Sequence, residues 1–250
     1  MSRRLFPILM NPEPKVRRLR RSDGEAQFLA GRHSRLYEFG RVVRIAIEFI
    51  RGFRALHFVG PCVTIFGSAR FAPDHPYCEQ ARSLASILGK AGFTIVTGGG
   101  PAIMQSANRG AREVNAPSIG VNIILPHEQS ANPFLDKVVT FYYFFVRKVM
   151  LVKYSYGFVI FPGGFGTLDE LTEALTLIQT GKLYDFPIIL VGKQYWQGLI
   201  DWLRASPLKE GTISKEDLDM LVLTDDLNEA AGHLTRLATD IGLKLKAPGK

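Results

Sequence analysis

The chain has 250 residues, of which 46% are hydrophobic and 22% are charged, and its mean hydropathy is +0.06. This apolar content excludes a disordered chain, and two cysteines are too few for a disulfide scaffold or a cysteine-rich zinc module. The net charge of +8 first suggests nucleic acid or an anionic surface as a partner.

The excess positive charge lies entirely at the N-terminus. Residues 1–54 carry 13 basic and 5 acidic side chains, whereas the rest of the chain carries 18 of each. This distribution favours a solvated arm or an oligomer contact, and a nucleic-acid role is disfavoured because residues 15–21 lack interleaved aromatic side chains. We also find no apolar segment of signal-peptide or bilayer length, so we expect a cytoplasmic protein.

A change in the pattern of apolar and charged residues near residue 57 predicts the domain organisation. Residues 37–56 interleave apolar and charged side chains with helical spacing. Beyond them, short apolar runs alternate with longer amphipathic stretches. We therefore expect a basic N-terminal arm and helix over residues 1–56, and a single nucleotide-binding domain over residues 57–250.

The apolar runs of that domain predict seven strands, over residues 62–66, 93–96, 118–124, 137–141, 157–161, 187–191 and 220–223. Helices are expected over residues 77–90, 102–114 and 226–240. One more is expected to begin near residue 147, and another, after the fifth strand, is expected to end near residue 179. Strands without polar alternation are typical of a parallel sheet that is covered on both faces. The predicted fold is a Rossmann-like, doubly wound α/β domain with helices on both faces, plus the N-terminal extension.

Three predicted strands end in glycine-rich turns: Gly67-Ser68, Gly98-Gly99-Gly100 and Gly163-Gly164-Phe165-Gly166-Thr167. Ligands of such folds bind beyond the carboxyl ends of the strands, where free N–H groups of a following helix suit a phosphate. The alternative is that these glycines only make tight turns. Since no G-x-G-x-x-G or P-loop pattern is present, the turns suit a mononucleotide or a sugar phosphate.

Glu170 follows Thr167 by three residues and allows two interpretations. In a capping box, Thr167 would cap the helix and Glu170 would return to its backbone. Alternatively, the carboxylate faces the ligand one turn into the phosphate-binding helix. There it could orient water or stabilise a developing positive charge.

Arg147 and Lys148 form a cationic pair between the fourth and fifth predicted strands. Such a pair could clamp an anionic substrate at the start of a helix. The alternative is a surface pair on that helix.

Residues 162–170 read Pro-Gly-Gly-Phe-Gly-Thr-Leu-Asp-Glu and match the pattern PGGxGTxxE. With Phe66-Gly67-Ser68, residues 98–104 and Arg147-Lys148 in the same order, the chain resembles the LOG (Lonely Guy) family over roughly residues 60–240. Members of that family are cytokinin riboside 5′-monophosphate phosphoribohydrolases, often labelled lysine decarboxylases. The basic arm and its helix are more similar to the longer bacterial members.

The resemblance implies a Rossmann-like hydrolase that splits a nucleoside 5′-monophosphate into free base and ribose 5-phosphate. It implies a catalytic pair, Arg147 and Glu170, and a phosphate cradle, Gly163, Gly164, Gly166 and Thr167. It also implies that the nucleotide site is lined by Ser68, Gly99, Gly100, Met104 and Lys148. A homodimer or higher homo-oligomer without cofactor or metal is implied as well. Because Phe144-Phe145-Val146 precede Arg147 where shorter members often have Met-His-Glu, no base preference is implied.

Other functions stay open at this point. A carrier of a nucleotide-like cofactor, such as molybdenum cofactor, could use the same fold without the catalytic pair. A nucleic-acid-binding domain would use the basic arm. A lysine decarboxylase is disfavoured because no lysine stands in a recognisable pyridoxal-phosphate context.

Overall fold

A computed structural model of the chain describes residues 24–125 and 130–246. The strands are β1 (Cys62–Phe66), β2 (Thr94–Thr97), β3 (Ser118–Ile123), β4 (Lys137–Phe141), β5 (Ser155–Ile160), β6 (Ile188–Val191) and β7 (Leu221–Thr224). They form one sheet in the order β4-β3-β2-β1-β5-β6-β7, and every neighbouring pair is parallel. The predicted fold class is confirmed.

Helices connect successive strands except β3 and β4, whose connection has no helix in its described part, and two more helices precede β1. They are α1 (Gly24–Phe28), α2 (Arg35–Leu56), α3 (Pro76–Lys90), α4 (Ile103–Glu113), α5 (Phe144–Tyr154), α6 (Phe165–Gln179), α7 (Lys193–Leu203), α8 (Lys215–Asp219) and α9 (Leu227–Asp240), with a π-helical turn at Arg204–Leu208. None of the helices in the described ranges is long and apolar enough to cross a membrane.

The sheet separates two apolar cores. On one face, buried side chains of α3, α4 and α9, such as Leu84 and Leu234, pack against Ile65 and the other strand residues that point that way. On the opposite face, α2, α5, α6 and α7 contribute buried residues that include Met150 and Trp196. Both faces of the strands are therefore buried, which is why the strand sequences show no polar alternation.

The strand order changes direction at β1. From β1 the chain proceeds outward through β2 and β3 to β4, and then it returns to the other side of β1 with β5. The connections that follow β1 and β5 therefore diverge to opposite sides of the sheet, and a crevice opens between them. The glycine-rich turns after β1, β2 and β5 all lie at this edge.

The packing of α3 on α4 depends on Gly110. A Cβ at this position would overlap the backbone carbonyl oxygen of Arg82. Ser86 of α3 also donates a hydrogen bond to the Gly110 carbonyl oxygen at 2.8 Å. The two helices thus approach each other at a distance that only glycine permits.

We predict that Gly110→Ala lowers the free energy of unfolding by about 2–3 kcal/mol, because the helices must separate to admit the methyl group. Gly232→Ala in α9 is the matched control, since a Cβ there meets no atom within 4 Å. The control should be neutral or stabilising, by up to about 1 kcal/mol, through helix propensity. Urea unfolding of both variants measures the difference, and equal stabilities would contradict the role of Gly110.

Candidate active site

A cleft of about 600 Å³ lies at the carboxyl ends of β1, β2, β3 and β5. The cleft lies at β1, where the strand order changes direction. Nine of the eleven predicted site residues line it: Ser68, Gly100, Met104, Arg147, Gly163, Gly164, Gly166, Thr167 and Glu170. Gly99 and Lys148 are not part of this lining.

The N-terminus of α6 forms one wall of the cleft. Gly164 is the residue before the first helical turn, and no side chain caps the helix there. Its first backbone N–H groups and the positive end of the helix dipole therefore remain available to an anion. A Cβ at Gly163 would overlap the Thr167 hydroxyl oxygen and lie 3.0 Å from the backbone nitrogen of Ser68. The turn thus requires glycine at this position.

A backbone hydrogen bond joins the two glycine-rich turns that flank the crevice. The N–H of Ser68, after β1, donates to the carbonyl oxygen of Pro162, after β5, at 2.9 Å. The phenolic hydroxyl of Tyr195 in α7 donates to the Gly163 carbonyl oxygen at 2.7 Å. The turn of Pro162 and Gly163 is therefore held from both sides, by Ser68 and by Tyr195.

The capping-box interpretation of Thr167 and Glu170 is wrong. Thr167 is the third residue of α6 rather than its cap, and the residue in the cap position is Gly164. Residues three apart share one face of a helix, so Thr167 and Glu170 both face the cleft. The Glu170 side chain is 4% exposed.

Burial dominates the electrostatics of Glu170. Its Oε2 atom has no hydrogen-bond partner among the described residues. The pKa of Glu170 is raised from 4.5 to about 7, mainly by burial and to a smaller extent by the nearby charges of Glu173 and Asp169. The positive charge of Arg147 opposes this rise. The carboxyl group is therefore poised to exchange a proton near neutral pH.

Arg147 is fixed by its backbone and by its side chain. It lies in the first turns of α5, and its Nε–H donates to the carbonyl oxygen of Val121 at 3.0 Å. Its guanidinium lies against Gly98, where a Cβ would be only 2.7 Å from Nη2. Burial lowers the pKa of Arg147, and Glu170 and Asp169 act in the opposite direction. An arginine stays protonated under these conditions, so it supplies a fixed positive charge to the cleft.

Lys148 points away from the cleft lining. Its ammonium group pairs with Asp169 at 3.2 Å and with Glu173 at 3.4 Å. Both carboxylates belong to α6, so the lysine connects α5 to α6. These pairs hold the helix that carries Arg147 beside the helix that carries Glu170.

Gly99 lies behind the cleft, in a left-handed conformation with φ +72°. Its N–H donates to the Thr97 hydroxyl at 2.9 Å, and its carbonyl oxygen accepts the N–H of Asn132. The Asn132 side chain donates to the Gly100 carbonyl oxygen at 3.1 Å and to Asn108 at 3.0 Å. This buried polar network fixes the turn after β2.

Several lining residues were not predicted from the sequence, among them Arg70, Asn122, Phe144 and Tyr195. Arg70 is exposed and lies two residues after Ser68, whose hydroxyl accepts the Arg70 backbone N–H at 3.0 Å. Proximity to a glycine-rich strand end could have suggested Arg70 and Asn122. No local pattern marks Tyr195, which reaches the cleft from the helix after β6.

Comparison with known proteins identifies the family. Residues 104–234 match the family described as "Possible lysine decarboxylase". A cytokinin riboside 5′-monophosphate phosphoribohydrolase of Mycobacterium marinum is 30% identical over 163 residues, which are 64% of this chain and 86% of that protein. The chain belongs to the LOG family.

Two further known proteins are similar to this LOG protein, one in sequence and one in structure. A pyrimidine/purine nucleotide 5′-monophosphate nucleosidase of Escherichia coli is 28% identical over 165 residues, which are 60% of this chain but 36% of that enzyme. The structure of the molybdenum cofactor carrier protein of Chlamydomonas reinhardtii superposes with a TM-score of 0.54 at 20% identity, and covers 72% of this chain and 99% of that one. The latter likeness shows a shared fold. The named sequence relatives cleave nucleotides, and the decarboxylase description is a family label.

We predict that the Glu170 carboxyl group titrates with a midpoint near 7, because it is buried without a hydrogen-bond partner at Oε2. Carbon-13 NMR of side-chain carboxyl groups over pH 4–9 measures this, with Glu170→Gln used to assign the resonance. A midpoint in the ordinary range, about 4.3, would contradict the dominance of burial over the charge of Arg147.

Proposed function

We propose that this LOG protein is a nucleoside 5′-monophosphate phosphoribohydrolase. It hydrolyses the N-glycosidic bond of AMP or of a cytokinin riboside 5′-monophosphate to free base and ribose 5-phosphate. One observation carries the proposal: Glu170 is buried, its Oε2 has no hydrogen-bond partner among the described residues, and it lies one turn inside α6, whose start has no side-chain cap, in the same cleft as Arg147. A substrate with a phosphate and a nearby carbon that becomes positively charged suits this arrangement.

The 5′-phosphate is proposed to bind at the turn of Gly163, Gly164 and Gly166. The free N–H groups at the start of α6 donate to its oxygens, and the Thr167 hydroxyl adds a side-chain donor. The exposed guanidinium of Arg70 lies at the same end of the cleft and completes the anion site. Binding energy from this remote group then aligns the ribose for reaction.

Glu170 and Arg147 are proposed to act at the ribose. As the bond between C1′ and the base nitrogen breaks, its electron pair leaves with the base and the ribose becomes oxocarbenium-like. Ionised Glu170 stabilises this positive charge and orients a water molecule toward C1′. Water supplies the hydroxyl group of ribose 5-phosphate, and its proton neutralises the departing base. Arg147 favours the ionised form of Glu170 and directs its remaining N–H donors to ribose oxygens.

The base is proposed to lie along the apolar side of the cleft, which is formed by Phe66, Ile123, Leu125 and Phe144. A flat purine buries its faces against such side chains. The named relatives include a cytokinin riboside 5′-monophosphate phosphoribohydrolase and a pyrimidine/purine nucleotide 5′-monophosphate nucleosidase, so AMP and a cytokinin nucleotide are both proposed substrates. Free nucleotides of this kind fit a cytoplasmic location.

We expect the protein to release base from AMP or isopentenyladenosine monophosphate, and we expect Glu170→Gln to lower kcat by about a thousandfold or more, because it removes the stabilising charge. Liquid chromatography of the released base measures both. Glu210→Gln is the matched control, since it makes the same change at an exposed position outside the cleft lining, and should keep kcat within about threefold.

Absence of base release from any nucleoside monophosphate would contradict the proposed reaction. Retention of activity by Glu170→Gln would contradict the role of its carboxylate. Tight binding of a co-purified nucleotide-like ligand without turnover would favour the carrier function instead.

A homo-oligomer is the proposed assembly. The outward face of α2 exposes large apolar side chains, and Leu36, Phe39, Val43 and Ile50 follow heptad spacing with exposed fractions of 43–82%. An apolar stripe of this extent is typical of an interface.

We expect sedimentation velocity to show a dimer or larger species, and Phe39→Glu with Ile50→Glu to shift it toward monomer through burial of unpaired charge. Leu29→Glu, also an exposed apolar position but before α2, should leave the assembly intact. A monomeric wild-type protein would contradict the proposal.

A further inference from the structure

Carboxylates from the N-terminal helices bind the start of α5. The residue in the cap position of α5 is Tyr143, whose side chain makes no capping hydrogen bond. Instead, the N–H groups of Tyr142 and Tyr143 donate to the carboxylate of Glu48 in α2, at 3.1–3.3 Å. The N–H of Phe144 donates to Glu25 in α1 at 3.1 Å. Three consecutive backbone donors are thus satisfied by a segment that lies about a hundred residues earlier in the chain.

Glu48 is buried at this contact, with 7% of its surface exposed. A buried carboxylate is destabilising unless donors or positive charge face it. Here the donors are backbone N–H groups at the positive end of the α5 dipole, where a negative charge is favourable. The contact also depends on close packing, because a Cβ at Gly52 of α2 would lie 2.9 Å from Met150 and 3.0 Å from Phe141.

A second contact from α2 reaches the same cap residue. The Tyr143 ring is buried, and its hydroxyl accepts a hydrogen bond from Arg41 at 3.2 Å. Both the backbone and the side chain of Tyr143 are therefore fixed by α2. The attachment of α2 therefore includes directional hydrogen bonds to one residue, which apolar packing alone would not require.

Arg147 follows directly from this anchored turn. Its N–H makes a helical hydrogen bond to the Tyr143 carbonyl oxygen at 3.2 Å. The side chain then leaves α5 and donates to the Val121 carbonyl oxygen at 3.0 Å. A shift of the first turn would move Arg147 relative to Val121, and so relative to Glu170 on the other side of the cleft.

We propose that Glu48 is a positioning residue for Arg147, and that α2 thereby contributes to catalysis without touching substrate. The inference rests on the proposed phosphoribohydrolase activity for its kinetic consequence. The competing explanation is that Glu48 only attaches α2 to the domain. The two differ because a purely structural contact affects stability but leaves the Arg147 side chain in place.

The kinetic test uses Glu48→Gln and Glu48→Ala with AMP as substrate, well below the unfolding temperature of each variant. We expect Glu48→Ala to lower kcat by about tenfold or more while KM changes by less than about twofold, because small displacements of a catalytic group act mainly on the transition state. Glu48→Gln keeps one acceptor oxygen and should show an intermediate kcat.

Asp226→Ala is the matched control. The Asp226 carboxylate accepts the N–H groups of Asn228 and Glu229 at the start of α9, which contributes no residue to the cleft lining. This variant should lose thermal stability yet keep the wild-type kcat. Wild-type kcat in Glu48→Ala, together with a lower unfolding temperature, would overturn the positioning role.

A second measurement is independent of activity. The Arg147 Nε–H group gives a nitrogen-15 NMR signal that reports its hydrogen bond to Val121 and is assigned with Arg147→Lys. We expect this signal to shift or broaden in Glu48→Ala and to stay unchanged in Asp226→Ala. An unchanged signal in Glu48→Ala overturns the inference, whether or not the wild-type protein cleaves AMP. Failure of the wild type to cleave any nucleoside monophosphate counts against the proposed function alone.

Discussion

The site depends on the reversal of the strand order at β1, where the chain starts to add strands on the other side of the parallel sheet. In a parallel sheet every strand presents its carboxyl end at the same edge, but only between β1 and β5 do the following connections diverge. This geometry leaves a crevice between the two connections, and it places the turn of Ser68 against the turn of Gly163. Without the reversal, the uncapped start of α6 would be covered by the neighbouring connection.

Charge inside the cleft is local rather than general. The net charge of +8 belongs to residues 1–54, and the domain that forms the cleft is balanced. The positive groups at the cleft are instead the backbone N–H groups at the start of α6 and two arginines, Arg70 and Arg147, while Lys148 is neutralised by Asp169 and Glu173. Glu170 is the one acidic group among the described residues that line the cleft, and it is buried. A fixed positive side chain and a carboxylate whose burial outweighs that charge therefore share a small volume.

The sequence predicted the sheet because parallel strands are uniformly apolar, and observed strand bounds lie within about two residues of those expected. Most of the site residues it predicted do line the cleft, since glycine-rich turns at strand ends carry their own local signal. Spacing alone could not decide between capping and cleft-facing roles for Thr167 and Glu170, because both require three residues. The roles of Tyr195 and Glu48 could not be predicted from the sequence, because their contacts with Gly163 and Tyr143 join segments that are distant in the chain.

The pairing of β1 with β5 also bears on how the chain acquires its cleft. These strands pair although residues 67–154, which form β2, β3 and β4, lie between them in the chain. Closing so long a loop costs chain entropy, which the contacts made across it must compensate. The hydrogen bond between Ser68 and Pro162 is therefore one of the non-local contacts of the fold, and a loss of the β1–β5 pairing would separate the two sides of the cleft.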